Sequence, residues 1–241
     1  MRRYGAGRNL VMRYGVDVGR SGVKISSNGS HVFLPSIVSR AAGDGWGLIE
    51  RRKREVLMNG VTRVQSLVFM YNGERWIIGD EQQRFGYSCA NPMDTTKANP
   101  MTRLLAFGGM VAAGVGAAAE ICLGLPAALF ESELSRMLEL MRGEHRFGID
   151  GGEQPVQLKT LVVPEGLGLL VWACWVDDGL AHLSSLKRST VVMDFGHRTT
   201  QLSLFRGLRL APVGFVLNRA MGEVFESVLQ RTIDEPLAMP F

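Results

Sequence analysis

The sequence predicts an α/β protein built from duplicated lobes, each with a mixed β-sheet. Two observations predict this class. Strand and helix patterns alternate along the chain, and a strand–turn–strand unit with the turn D-x-G occurs twice, at Asp17 and again at Asp194. No linker rich in Pro or Ser separates the two units, so the lobes are expected to share a tight junction.

Composition and charge exclude several classes of protein. The chain has 241 residues, 46% of them hydrophobic and 21% charged, which excludes collagen-like, coiled-coil and disordered chains. The net charge of +4 belongs to four arginines that precede the first acid, so direct nucleic-acid binding is not expected. The three cysteines have no CxxC spacing, and no apolar run reaches the length of a membrane span. A cytoplasmic protein without a membrane partner is expected.

The first hundred residues predict strands. A β-meander is expected from Leu10 through residues 31–34, with a sharp glycine-containing turn over residues 17–22. Asn72-Gly73, between two apolar runs, predicts a type I′ hairpin and with it a second small sheet. The basic run at residues 51–54 is interpreted as a solvated helix end or loop.

The remainder alternates between helices and strands. An Ala/Gly-rich helix is expected after residue 100, followed by a buried strand at 121–123. Residues 130–141 have the spacing of an amphipathic helix. The elements predicted after it are a strand at 156–163, a helix at 165–175, strands at 191–194, 201–205 and 208–210, and a helix from about 217 to 230.

The two D-x-G units align residue by residue at a constant separation of 177 positions, the distance along the sequence from Asp17 to Asp194, which we call the repeat offset. It carries Asp17 onto Asp194 and Gly19 onto Gly196, and the alternating strands that follow also match. A carboxylate at a strand end, followed by a glycine turn, stands beside exposed backbone N–H groups, an arrangement suited to phosphate oxygens. Either copy alone is more often a structural turn, but the pair favours a nucleotide site.

The charges of the residues in the two turns suggest which of them would bind Mg²⁺ and which would bind phosphate. Mg²⁺ prefers a few carboxylates together with water and phosphate oxygens, so Asp17 and Asp194 facing each other across a cleft are expected to hold the hydrated ion. Lys24 would neutralise phosphate charge, and Thr199 and Thr200 would add hydroxyl and backbone donors.

At these residues the sequence resembles the actin-like ATPase superfamily, whose fold is ribonuclease H-like. Asp17-x-Gly19-x-x-x-x-Lys24 is similar to its first phosphate motif, and the second motif is matched from Asp194 to Thr200. The finer resemblance is to prokaryotic actin-like proteins of plasmid segregation, the ParM/StbA type and its archaeal relatives. It rests on short motifs in the family's order, at residues 34–38, 78–80, 124–126 and 163–166, and covers about residues 14–232.

The resemblance implies ATP (or GTP) and Mg as cofactors and assigns the site residues. The catalytic residues would be Glu165, which positions the hydrolytic water, and Asp194 and Asp17, which order Mg through water. The nucleotide-binding residues would be Gly19, Ser21, Gly22, Lys24, Gly196, Arg198, Thr199 and Thr200. Without the resemblance, Glu165 reads as an acid in the first turn of a helix. His197 and Arg198 depart from the small residues usual there, and Arg198 would add a charge to the β-phosphate.

The resemblance also implies a function and a domain organisation. An ATPase is expected that hydrolyses Mg·ATP and assembles into filaments for plasmid or DNA segregation or a cytoskeletal role, with an adaptor protein linking the filament to DNA. The expected domains are a basic tail at 1–13, a first lobe at 14–163 with an inserted small subdomain at about 35–98, and the start of a second lobe at 164–241. The second lobe is expected to be incomplete, truncated at its C-terminus relative to the family.

Two alternatives remain. Small-molecule kinases of the same superfamily also use paired D-x-G turns, although the wide separation of the two turns and the lack of an identifiable aspartate base argue against this reading. A truncated, non-catalytic interaction module is the other alternative, because the part of the fold that supplies the adenosine pocket would be missing.

Overall fold

The computed structural model describes residues 11–41, 52–56, 60–79, 96–149, 152–175, 189–196, 199–217 and 221. The chain divides into two compact units. The first unit comprises Met1–Gly124 and Ser132–Val162, and the second comprises Leu125–Glu131 and Val163–Phe241. Within the described ranges, no helix combines the length and the apolar character needed to cross a bilayer.

The first unit is organised around a ten-stranded sheet. Strands β1 (Met12–Val18), β2 (Gly22–Ser27) and β3 (Ser30–Pro35) form the predicted antiparallel meander, and β8 (Ala118–Leu125) pairs in parallel with β1. The other strands are β4 (Val38–Arg40), β5 (Arg52–Val56), β6 (Val61–Tyr71), β7 (Glu74–Gly79), β9 (Gly143–Ile149) and β10 (Gly152–Pro164). The main order is β3-β2-β1-β8-β10-β9-β6-β7-β4.

The hairpin of β6 and β7 forms where the sequence predicts it, but the expectation of a separate small sheet is wrong. Asn72 (φ 50°) and Gly73 (φ 78°) take the positive φ values of a type I′ turn. Strand β6 has 11 residues, long enough for its start to pair with β3 and its end with β9. The hairpin therefore joins the main sheet. The basic run, expected as a helix end or loop, contributes instead to strand β5.

Helix α1 (Pro100–Ala113) packs closely on this sheet, as its Ala/Gly-rich sequence predicts. Asn99 caps its first turn by accepting a hydrogen bond from the Thr102 N–H, and Pro100 occupies the position where its missing N–H costs nothing. A Cβ at Gly109 would lie 2.7 Å from Ile25 Cδ1, so a larger residue would have to displace the Ile25 side chain. The Tyr14 hydroxyl donates to the carbonyl that follows the helix, and burial raises the pKa of Tyr14 to about 12.

Helix α2 (Phe130–Met141) has the predicted bounds, and Met137 and Met141 on its apolar face are buried. Strand β9, which follows it, was not predicted. Glycine and charged residues fill much of its seven-residue sequence, and the strand forms because it pairs antiparallel with both β10 and β6. Tertiary pairing therefore overrides a weak local preference at this point.

The second unit contains a three-stranded antiparallel sheet and helix α3 (Leu167–Trp175), which begins two residues later than predicted. Its strands are β11 (Ser189–Phe195), β12 (Thr200–Arg206) and β13 (Arg209–Leu217). Leu170, Cys174 and Phe205 form its core. Strand β13 continues to the residue where a helix was expected to begin; apart from Met221, which is helical, the rest of that predicted helix lies outside the described residues.

Candidate functional site

The two D-x-G turns have the same hydrogen-bonding pattern. In the first hairpin Asp17 pairs across the strands with Lys24, and in the second Asp194 pairs with Gln201. The N–H of the turn glycine closes each turn: Gly19 donates to the carbonyl of residue 22 at 3.0 Å, and its counterpart, residue 196, donates to the carbonyl of residue 199 at 2.9 Å. The repeat offset relates every one of these partners, so the repeat extends from sequence to backbone geometry.

Buried neighbours hold the first turn in place. The Ser36 hydroxyl donates to the Gly19 carbonyl at 2.5 Å, and the Ser36 N–H donates to the carbonyl of Ser21 at 3.4 Å. A Cβ at Gly22 would collide with the ring of Phe33, so any other residue here would have to displace that ring. The turn's backbone is thus fixed before any ligand arrives.

Two lysines flank the carboxylate of Asp17. Lys24 Nζ lies 3.2 Å from Oδ2, and Lys97 Nζ lies 3.7 Å from Oδ1. Their environments differ: the Lys24 side chain is 69% exposed and that of Lys97 only 7%. The D-x-G motif predicts Lys24 but not Lys97, because no motif distinguishes a buried lysine from the many exposed ones.

The segment that carries Lys97 is fixed by a buried acid. Glu133 on α2 accepts hydrogen bonds through Oε2 from the backbone N–H groups of Lys97, at 3.0 Å, and Ala98, at 2.9 Å. The next residue, Asn99, caps α1. The main chain around Lys97 is therefore held from both sides.

The second turn lies beside Glu165. Gln201 Nε2 donates to Glu165 Oε2 at 2.5 Å, and the Glu165 N–H donates to the carbonyl of Leu125 at 2.7 Å. The Ser203 hydroxyl donates to the Glu165 carbonyl at 3.4 Å. Since Gln201 is also the cross-strand partner of Asp194, one residue links Glu165 and Asp194.

The predicted site residues fall into two groups, one in each unit. The first turn brings together Asp17, Gly19, Ser21, Gly22 and Lys24, and the second unit brings together Glu165, Asp194, Gly196, Thr199 and Thr200. Arg198 and its neighbour His197 lie outside the described residues. Gln201 was missed, although the repeat offset makes it the counterpart of Lys24 and would have identified it.

The donor set suits a hard cation only in part. Asp17 and Asp194 offer carboxylate oxygens, the ligands that Mg²⁺ prefers. Among the residues that the structure describes, no group of three or more His, Cys, Asp or Glu side chains is arranged to hold a metal ion. A magnesium ion at either aspartate would need phosphate oxygens and water to complete its coordination shell, which is the arrangement found when the ion arrives with a nucleotide.

Comparison with known proteins adds a family and a fold. Residues 15–168 match the family described as actin-like proteins, N-terminal domain. No curated protein sequence matches the chain.

Solved structures with similar folds include an archaeal actin homologue, Ta0583 (TM-score 0.71, 17% identity, 96% of this chain and 69% of the other), which was also determined in complex with ADP. The apo ParM protein of pSK41 matches with a TM-score of 0.69 and 17% identity over 95% of this chain and 74% of the other. The AlfA filament bound to AMPPNP matches with a TM-score of 0.62 and 13% identity over 93% of this chain and 78% of the other.

Proposed function

The chain belongs to the actin-like protein family, and from this premise we propose that it binds Mg·ATP through its two D-x-G turns, hydrolyses the nucleotide and assembles into filaments. One observation carries the proposal. Two hairpins, related by the repeat offset, share the same strand register and the same turn-closing hydrogen bond, and each has an aspartate at the same point. Equal loop length accounts for the shared register, so the support comes from the aspartate and the glycine that stand at equivalent points of both hairpins.

In this proposal the turns bind the phosphates. The N–H groups of the first turn and the ammonium of Lys24 meet phosphate oxygens, while Thr199, Thr200 and Arg198 contribute from the second turn. Asp17 and Asp194 would hold the magnesium ion through its water ligands. When bound, the ion neutralises charge on the phosphate oxygens during hydrolysis.

Glu165 is the residue that we propose positions the attacking water. Phosphoryl transfer to water requires positioning and electrostatic stabilisation rather than covalent chemistry by the protein. The hydrogen bonds from Gln201 to the carboxylate and from its own N–H to Leu125 hold Glu165 in one orientation. A carboxylate oriented in this way supports in-line attack on the γ-phosphate.

Nucleotide binding and assembly in relatives support the remaining parts of the proposal. One structurally similar protein was solved with ADP and another as a filament bound to AMPPNP. We extend both properties to this chain, together with an adaptor protein that links the filament to DNA for segregation. The matches include relatives solved as a filament and as an ADP complex, and they favour neither a small-molecule kinase nor a non-catalytic module.

Light scattering and phosphate release together test this function. On addition of Mg·ATP, scattering should rise above a critical protein concentration, and phosphate release should follow. Mg·AMPPNP should support the same rise without later decay, because hydrolysis would set filament lifetime. Flat scattering at all protein concentrations would refute assembly, and absence of phosphate release under the same conditions would refute hydrolysis.

A further inference from the structure

The two turns differ in charge although they share a backbone. The first combines Asp17 with Arg20, Lys24 and the adjacent Lys97, which leaves two net positive charges. The second combines Asp194 and Glu165 with Arg198, which leaves one net negative charge. Lys97, a residue outside the motif, supplies one of the two net positive charges of the first turn.

The side chain of Lys97 is buried, whereas that of Lys24 is exposed. Its side chain is 7% exposed, compared with 69% for Lys24. The hydrogen bonds from its own N–H and that of Ala98 to Glu133 fix its main chain. Its ammonium group therefore stays beside Asp17 whether or not Lys24 moves toward a ligand.

Burying an ammonium group is unfavourable unless the charge is paired. A buried charge is strongly destabilising unless it is paired, and an apolar side chain of similar length often serves stability at least as well. The partner of Lys97, Asp17, has a side chain that is 48% exposed. Water therefore reaches the carboxylate of this ion pair. Because a buried ion pair contributes little to stability on balance, the position of Lys97 beside Asp17 points to a role beyond stability.

We infer that Lys97 is a further residue of the nucleotide site, a fixed cation that orients the Asp17 carboxylate and attracts phosphate to the first turn. This inference rests on the function proposed above. Lys24 is the exposed cation that reaches the phosphates, and Lys97 is the positioning residue that acts through Asp17.

Calorimetric titration with two forms of ATP tests this role. Metal-free ATP, prepared with a chelator, carries more uncompensated negative charge than Mg·ATP, so it should depend more on a fixed cation. We expect Lys97→Met to lower the affinity for metal-free ATP by about tenfold and the affinity for Mg·ATP by about threefold. Lys97→Arg keeps the charge and should bind both forms within about threefold of the parent chain.

Lys159→Met is the matched control. It removes a lysine from the same unit that is 81% exposed and pairs with Glu120, and it should leave the affinity for both forms of ATP unchanged. Thermal unfolding without ligand reports the fold of each variant, and Lys97→Gln provides a second neutral variant if Lys97→Met does not fold.

Three outcomes would overturn the inference. Parent-like binding by Lys97→Met would remove Lys97 from the site and leave the proposed function standing. An equal loss for both forms of ATP, with no recovery in Lys97→Arg, would show that Lys97 only supports the fold. Failure of the parent chain to bind either form would refute the proposed function, and this inference with it.

Discussion

The first and second hairpins have the same backbone in different surroundings. Tyr14, Val16 and Val18 on β1 are buried, and α1 packs on that strand. Their counterparts at the repeat offset are Val191, Met193 and Phe195, which are 59%, 57% and 59% exposed. In the described part of the second unit, α3 packs against Val192 and Phe205 instead.

This contrast shows what the internal repeat preserves. Strand register and the turn-closing hydrogen bond are the same in both hairpins, whereas the packing and the charge around them differ. Register depends on backbone hydrogen bonds and on the alternation of side chains, so it survives changes in surrounding elements. Charge depends on single side chains, and the two turns have diverged there, toward cations in the first and acids in the second.

The largest expected effect concerns hydrolysis and belongs to the second unit. Glu165→Gln keeps the size of the side chain but removes the charge that positions water, so phosphate release should fall by about 100-fold. Nucleotide affinity should change little. Glu131→Gln, which alters an exposed acid of the same unit, is the control. Unchanged phosphate release by Glu165→Gln would remove this residue from the chemistry.

The next effect tests the difference in packing. Val16→Ala removes buried apolar volume beneath α1 and should lower the free energy of unfolding by about 2 kcal/mol. Met193→Ala, at the equivalent position, should change it by less than about 0.5 kcal/mol because the side chain is exposed. Urea unfolding of both variants provides the comparison. Equal losses would mean that the exposed row on β11 is covered in solution.

A smaller effect separates the two residues that follow the turns. Lys24→Gln should lower the affinity for Mg·ATP by about tenfold, because a charge-assisted hydrogen bond to phosphate is lost. Gln201→Leu should bind Mg·ATP within about twofold of the parent but hydrolyse it more slowly, since Glu165 loses its donor. Calorimetry and phosphate release on the same preparations distinguish the two. The reverse pattern would exchange the roles assigned to the turns.

The smallest effect is a dependence of stability on pH in the first unit. Burial, with a further contribution from the Arg103 guanidinium, lowers the pKa of His145 from its usual 6.5, and the imidazole lies against the Phe107 ring at 4.9 Å between centroids. Below about pH 6.5 the unfolded chain takes up a proton that the folded chain does not, so the free energy of unfolding should fall as the pH falls.

Urea midpoints measured at pH 7.5 and 5.5 check this dependence. The parent chain should lose more stability than His145→Gln over the interval, because the variant has no imidazole to protonate. If the two chains lose the same amount, the imidazole accepts its proton in the folded state.

Local patterns predicted much of the fold. The meander, the Asn72-Gly73 hairpin and the bounds of α2 follow from alternation, turn chemistry and helical periodicity, all of which act over a few residues. Strand β9 and the pairing of β6 with strands of the main sheet depend on contacts between distant segments. No local pattern encodes that pairing, which is why both were mispredicted.

The residues of the candidate site also fall into those that a local pattern identifies and those that only tertiary contacts reveal. The motif residues could be identified because glycine and acid stand at fixed spacing in a sharp turn. Gln201 was recoverable from the repeat alone, as the counterpart of Lys24. Lys97 was not, because its importance comes from burial beside Asp17 and from the bonds that Glu133 makes to its main chain.

Calorimetric titration of Mg·ATP into the parent chain and into Asp17→Ala and Asp194→Ala tests the central claim most directly. The claim is that both turns form one nucleotide site. We expect the parent to bind and each single variant to lose binding, because each aspartate contributes to the same bound complex. Binding retained in either variant would show that its turn is only structural, and absence of binding by the parent would contradict the account as a whole.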